Sequence, residues 1–94
     1  MYKIIHAETL ENNYVKAKVL VQTELKESGF IIVMLDENLN YLSKKIDGYS
    51  PVDQSAFSKY NCMCDIERVF STNLKQIKDD IAFMLSVEEE EAVL

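Results

Sequence analysis

The strict alternation that begins at Tyr14, followed by an unbroken apolar run ending at Leu35, constrains this chain more than any other feature. Val15, Ala17, Val19, Val21 and Leu25 fall on alternate positions, with Tyr14, Lys16, Lys18, Gln22 and Glu24 between them. A period of two is that of a strand with one face buried and the other in water. Leu20 on the wet face and Thr23 on the dry face interrupt it. Lys26-Glu27-Ser28-Gly29 then reads as a turn, whose glycine takes positive φ at no steric cost. Phe30-Ile31-Ile32-Val33-Met34-Leu35 reads as a second strand, apolar enough to be covered on both faces. The two strands make a β-hairpin, and the remaining residues have to cover it.

Before the hairpin, Tyr2 to Ala7 is a short β-like stretch. Tyr2, Ile4 and His6 fall on one face and Lys3, Ile5 and Ala7 on the other. Glu8 to Asn13 is a polar connection, with Asn12-Asn13 suited to a turn. After the hairpin, residues 37–47 admit two readings. One is a turn with Asn38 in the left-handed region and a strand from Asn40 to Ile46. The other is a short helix capped by Asp36, with Leu39, Leu42 and Ile46 at helical spacing. The strand is preferred. Two Asn and a Ser make a poor helix, and Leu35 sits naturally opposite Leu39 across a tight turn.

Gly48-Tyr49-Ser50-Pro51 separates a β half from an α half. Ser50 reads as an N-cap, Pro51 as the first helical residue and Asp53 as the acidic member of a capping box. The helix expected from Pro51 to about Tyr60 would bury Val52, Ala56 and Tyr60, and Asn61 would end it. From Asp65 onward, Ile66, Val69, Phe70, Leu74, Ile77, Ile81, Met84 and Leu85 form one helical stripe. Ser71-Thr72-Asn73 inside that stripe predicts a break, with Ser71 or Thr72 capping a new helix. A single long bent helix is the runner-up. Glu88 to Glu91 is a like-charge run at the wrong end of the helix dipole, which predicts fraying from about Glu89.

The expected architecture is α+β. An antiparallel sheet of three or four strands, with the hairpin of residues 14–35 at its centre, is packed on one face by two or three C-terminal helices. At 94 residues the chain is expected to be one domain. Residues 1–47 are mainly β, 50–87 mainly α, and 88–94 an acidic tail. Val19, Val21, Ile32, Val33, Ile77 and Ile81 are expected to be almost fully buried.

Several function classes drop away. A net charge of −6 argues against coating a nucleic acid, which needs clustered Lys and Arg. No apolar run approaches the roughly 18 residues of a membrane span, and the first residues lack the apolar segment of a secretory signal. No membrane partner is expected, and the expected location is the cytoplasm. Cys62 and Cys64 are too close in sequence for an unstrained disulfide and read as reduced thiols. With His6 they supply three Cys or His side chains, short of the four that a structural zinc site uses, so no metal or cofactor is assigned. Cys-x-Cys is also not the redox spacing. A Cys–His pair can be written, but nothing marks an orienting third group or an oxyanion hole, so no catalytic residue is assigned.

Two surfaces remain. Tyr14, Lys16 and Lys18, with Lys3 beside them and Lys44 or Lys45 beyond, are candidates to hold an anionic ligand, a nucleotide or an acidic partner. The plainer reading is a solvated strand whose lysines block unwanted pairing. There is no glycine-rich phosphate loop, so side chains would have to hold any nucleotide. One layer of helices also covers only one face of the sheet, which leaves Leu20, Phe30, Ile32 and Met34 as candidate interface residues and a homodimer as the simplest way to cover them. The preferred function is a small non-catalytic interaction protein, a regulator or inhibitor of a partner protein, of the kind viruses and mobile elements encode. The alternative is an oligomeric protein that binds or sequesters a small anion or nucleotide.

Overall fold

In a computed structural model of the chain, strands β1 (Tyr2–Thr9), β2 (Val15–Gln22), β3 (Ser28–Leu35) and β4 (Tyr41–Ser50) each pair with their neighbours in sequence. They form an antiparallel meander in the order β1-β2-β3-β4, followed by helices α1 (Ala56–Thr72) and α2 (Leu74–Val93). The structure describes the backbone of residues 1–93 and the side chains of residues 1–87. The expected fraying beyond Glu89 falls outside the fully described residues.

One turn geometry is used three times. The N–H groups of Asn13, Lys26 and Leu39 donate to the carbonyls of Leu10, Thr23 and Asp36 at 2.9, 3.2 and 2.9 Å. The N–H groups of Leu10, Thr23 and Asp36 in turn donate to the carbonyls of Tyr14, Glu27 and Asn40 at 2.7, 2.9 and 2.9 Å. Asn13, Lys26 and Leu39 have φ of 68, 63 and 64°. This is the three-residue hairpin loop in which a type I turn is followed by a left-handed residue. The expected positions of these turns are corrected accordingly. The central turn lies at Thr23–Glu27, its left-handed residue is Lys26, and Gly29 belongs to β3. Leu25, expected on the dry face of a strand, is exposed at the turn. In the last hairpin the left-handed residue is Leu39 rather than Asn38, and Leu35 pairs with Tyr41 rather than Leu39. The Asp36 carboxylate accepts from the N–H groups of Asn38 and Asn40 at 2.8 Å each, which holds its pKa below the usual value.

The preferred strand reading of residues 40–46 holds, and β4 runs on to Ser50. The helix expected from Pro51 does not form there. Ser55 is the N-cap of α1, accepting from the Ser58 N–H at 3.1 Å, and Asp53 accepts from the Ser55 N–H at 2.8 Å. Val52, Ala56 and Tyr60 are exposed rather than buried, and Asn61 lies inside α1 rather than at its end. The break expected at Ser71–Asn73 is present but centred on Asn73; Ser71 and Thr72, expected to cap the new helix, are instead the last residues of α1. The Asn73 N–H donates to the carbonyls of Val69 and Phe70, and its side-chain amide donates to the Val69 carbonyl at 2.8 Å. α2 then starts with a fresh set of bonds.

The core lies between the sheet and the two helices. Ala7 of β1, Val15, Ala17, Val19 and Val21 of β2, and Ile31, Val33 and Leu35 of β3 meet Cys62, Ile66 and Phe70 of α1 and Ile77 and Ile81 of α2. Five of the six residues expected to be fully buried are so. The correction is Ile32, which is half-buried on the other face. β3 alternates like any strand of a one-sided sheet, so it is not covered on both faces. A second correction concerns β1. Its register shifts between Ile4 and His6, leaving Ile5 unpaired. The bulge turns His6 to the outer face, opposite Lys18, and lets Ala7 point into the core. The Tyr2 hydroxyl donates to the Asp80 carboxylate and so ties β1 to α2. Burial and that carboxylate raise the phenol to about 12.

Candidate interaction surface

Cross-strand registers build the outer face of the sheet row by row. One row is Glu8, Lys16, Met34 and Ser43; the next is His6, Lys18, Ile32 and Lys45. In a third, Lys3 lies opposite Leu20 and Leu20 opposite Phe30. The two sets of site residues picked out in the sequence, lysines and apolar residues, therefore share one surface. Lys3, Lys16 and Lys18 interleave with Leu20, Phe30, Ile32 and Met34. The four apolar residues are half-buried, and Phe30 lies beneath the Lys18 ammonium.

The lysines are not equivalent. Lys18 lies with its Nζ 4.6 Å from the Phe30 ring centre and 3.7 Å from the Asp47 carboxylate, so it is already engaged by an aromatic face and an acid. Lys44 touches the surface only at the border of a hollow, because its register opposite Val33 turns its ammonium inward. Its Nζ stands 5.9 Å from the Tyr41 ring centre and 6.0 Å from that of Phe70. Lys45 does face outward, opposite Ile32. Tyr14 precedes β2 at the rim, half-buried, its N–H donating to the Asn12 side chain at 3.0 Å. Leu10 from the first turn, with Glu8, Lys16, Ile32, Met34, Ser43, Lys44 and Lys45, lines a shallow hollow of about 440 Å³ at one end of this face. Formal charge on the outer face favours the positive sign, with Lys3, Lys16, Lys18 and Lys45 against Glu8 and Asp47, on a chain whose net charge is −6.

The chemical candidates separate in space. Cys62 is fully buried on the sheet-facing side of α1, with its thiol 4.0 Å from the Ser28 carbonyl, and burial, then the nearby Glu27 and Asp65, push its pKa up. Cys64 is exposed. His6 stands on the opposite face of the sheet, largely in solvent and 3.6 Å from Glu8. The pairing of either cysteine with His6 that a nucleophilic mechanism would need is not made. Among the described residues no group of three or more His, Cys, Asp or Glu side chains is arranged to hold a metal ion.

Sequence reasoning missed one polar site. Glu27, expected in a wet turn, is 2% exposed. Its N–H donates to Thr23 Oγ1 at 3.2 Å, and the same hydroxyl donates back to Glu27 Oε1 at 3.1 Å. Burial raises its pKa, and a hydrogen bond shared with the Asp65 carboxyl of α1 raises it further, against smaller opposing effects of Thr23 and Arg68. Arg68 holds Asp65 at 2.7 Å. Glu27 thus sets the buried start of β3 beside Asp65 of α1. Its sequence signal was slight: Thr23 on the dry face of a strand, four residues before Glu27.

Fold and surface together define a small α+β protein with one bare, apolar and basic sheet face. No helix among the described residues is long and apolar enough to cross a membrane. No family model matches the chain, and neither a curated protein nor a solved structure matches it.

Proposed function

We propose that the chain is a small cytoplasmic, non-catalytic interaction protein that regulates or inhibits a partner by binding it on the outer sheet face. The observation that carries this reading is the half-buried set Leu20, Phe30, Ile32 and Met34, gathered by register at the centre of a face that no helix covers. Apolar residues so placed and ringed by charge have the anatomy of a docking site, with the desolvated centre supplying affinity and the lysines supplying orientation. A homodimer belongs to the same reading, because a second copy is one way to cover the face.

The test is co-purification from the native host, identification of the bound protein, and reconstitution with that protein in pure form. Ile32→Glu should abolish the reconstituted complex while the far-UV spectrum and urea midpoint stay near those of the parent. Undiminished binding by Ile32→Glu would move the docking site elsewhere.

The second reading, a small anionic ligand or nucleotide, rests on the hollow between Leu10, Lys16, Met34 and Lys45. Native mass spectrometry separates the two. A stoichiometric small molecule lost on Lys16→Ala would favour the ligand.

A further inference from the structure

α2 reaches the same end of the sheet as the basic hollow. Ala82, Leu85 and Ser86 line a depression there with Thr9, Asn13 and Leu39, residues of the first and third hairpins. Leu10, in the same first hairpin, borders the hollow on the outer face. From Ser86 the helix runs on to Val93. Seven helical residues advance roughly 10 Å along the axis, which lies on the inner side of the sheet. The sequence of this extension, Val87-Glu88-Glu89-Glu90-Glu91-Ala92-Val93-Leu94, joins four carboxylates to apolar residues on both sides.

Resting on the reading of the outer face as a binding surface, we infer that this face receives the acidic C-terminal segment, residues 87–94, of a second copy of the chain. Charge decides between this occupant and the other arrangements two copies allow. Sheet packed face to face on sheet would set Lys3, Lys16, Lys18 and Lys45 against themselves, whereas the acidic segment neutralises them. Edge pairing is opposed by the β1 bulge at Ile5 and by the register shifts of β4 at both ends of its pairing with β3. The segment's apolar residues match the other half of the surface, where Leu10, Ile32 and Met34 floor the hollow beside Lys16 and Lys45. α2 packs on the inner side of the sheet and continues as a helix to Val93, so it does not double back over the outer face of its own chain. Reciprocal exchange closes a two-fold dimer.

The test uses full-length chains in sedimentation equilibrium at micromolar concentration. One variant reverses the segment, with Glu88→Lys, Glu89→Lys, Glu90→Lys and Glu91→Lys. The other reverses the face, with Lys16→Glu and Lys45→Glu. The parent should be a dimer that dissociates as salt is raised, and each variant alone should be a monomer. An equimolar mixture of the two should recover the dimer, because each reversed segment then meets an opposite face. Dimerisation by each variant alone, a monomeric parent, or a mixture that stays monomeric overturns the inference. If both charge variants remain dimers while Ile32→Glu does not, the segment is excluded and the outer face still stands as the binding surface. If Ile32→Glu also leaves both dimer and reconstituted partner complex intact, the reading of the face falls with it.

Discussion

Gly29 of β3 and Ile66 of α1 approach so closely that a side chain at residue 29 would force the Ile66 δ-methyl to move. A Cβ on Gly29 would collide with the Ile66 δ-methyl and would stand 3.2 Å from the Gly48 carbonyl oxygen and 3.3 Å from the Tyr49 Cβ. The glycine is needed here to let α1 settle onto the sheet, and not for a turn. Gly29→Ala should cost about 1–3 kcal/mol through overpacking. Ile66→Val removes the colliding methyl and by itself should cost about 0.5–1.5 kcal/mol. The double variant should be clearly more stable than the sum of the two losses allows. Urea unfolding of the four proteins measures this, and strictly additive losses would show that the contact does not set the helix height.

The carboxyl of Glu27 gives stability an unusual pH dependence. Its folded pKa lies above the ordinary 4.5, so its contribution is complete below that value and is lost as pH rises through the folded pKa. Asp36 and Asp53 act in the opposite sense, being held below 3.8, and their contributions vanish only as pH falls through their lowered values. Between them, the parent should lose stability as the medium goes from mildly acidic to neutral. Glu27→Gln keeps a donor for Asp65 and an acceptor for Thr23 but cannot ionise. It should flatten this part of the curve and be the more stable protein at neutral pH. Thermal unfolding across the range checks it, and parallel curves for the two proteins would rule out Glu27 as the titrating group.

The two cysteines should differ sharply in reactivity. Cys62 is fully buried with a raised pKa, and Cys64 is exposed. A thiol reagent at neutral pH should label one residue in the native protein and two in urea. Cys64→Ser should remove the native labelling. Rapid modification of Cys62 in the folded variant would mean that α1 opens readily.

Lys26 and Leu39 hold the same left-handed backbone but should respond oppositely to glycine. Lys26 is exposed, so Lys26→Gly relieves backbone crowding of about 1–2 kcal/mol, offset in part by the entropy of the unfolded chain. A net gain of roughly 0.5–1 kcal/mol is expected. Leu39 packs against the core, so Leu39→Gly should lose more in burial than it recovers. Urea midpoints of the two variants moving in the same direction would contradict this division.

Where tertiary context agreed with local pattern, the sequence was readable. Alternation in β2 put Val15 through Val21 inside and Lys16 and Lys18 outside, and the helical stripe from Ile66 to Leu85 survived a break near the expected place. The failures have physical causes. Gly29 was read as a turn residue because glycine permits positive φ, yet here it serves close packing, and Asn13, Lys26 and Leu39 took the left-handed positions instead. His6 leaves the face of Tyr2 and Ile4, against the simple alternation, because a single bulged residue inverts the side chains beyond it. Pro51 and Ser50 formed a plausible cap, but Asp53 and Ser55 offered another a turn later, and β4 claimed Ser50. Both candidate surface sets could be named in the sequence. That they interleave on one face depends on pairing register across the strands.

The meander has a further consequence while the chain is being synthesised. All four strands are complete at Ser50, joined by turns of three residues that need no distant partner. The residues that shield them, from Cys62 to Ile81, leave the ribosome only later. A sheet that formed in that interval would be bare on both sides. The bulge in β1, which also sets Ala7 into the core, and the broken pairing of β4 would then blunt the two outer strands against joining a neighbouring nascent chain.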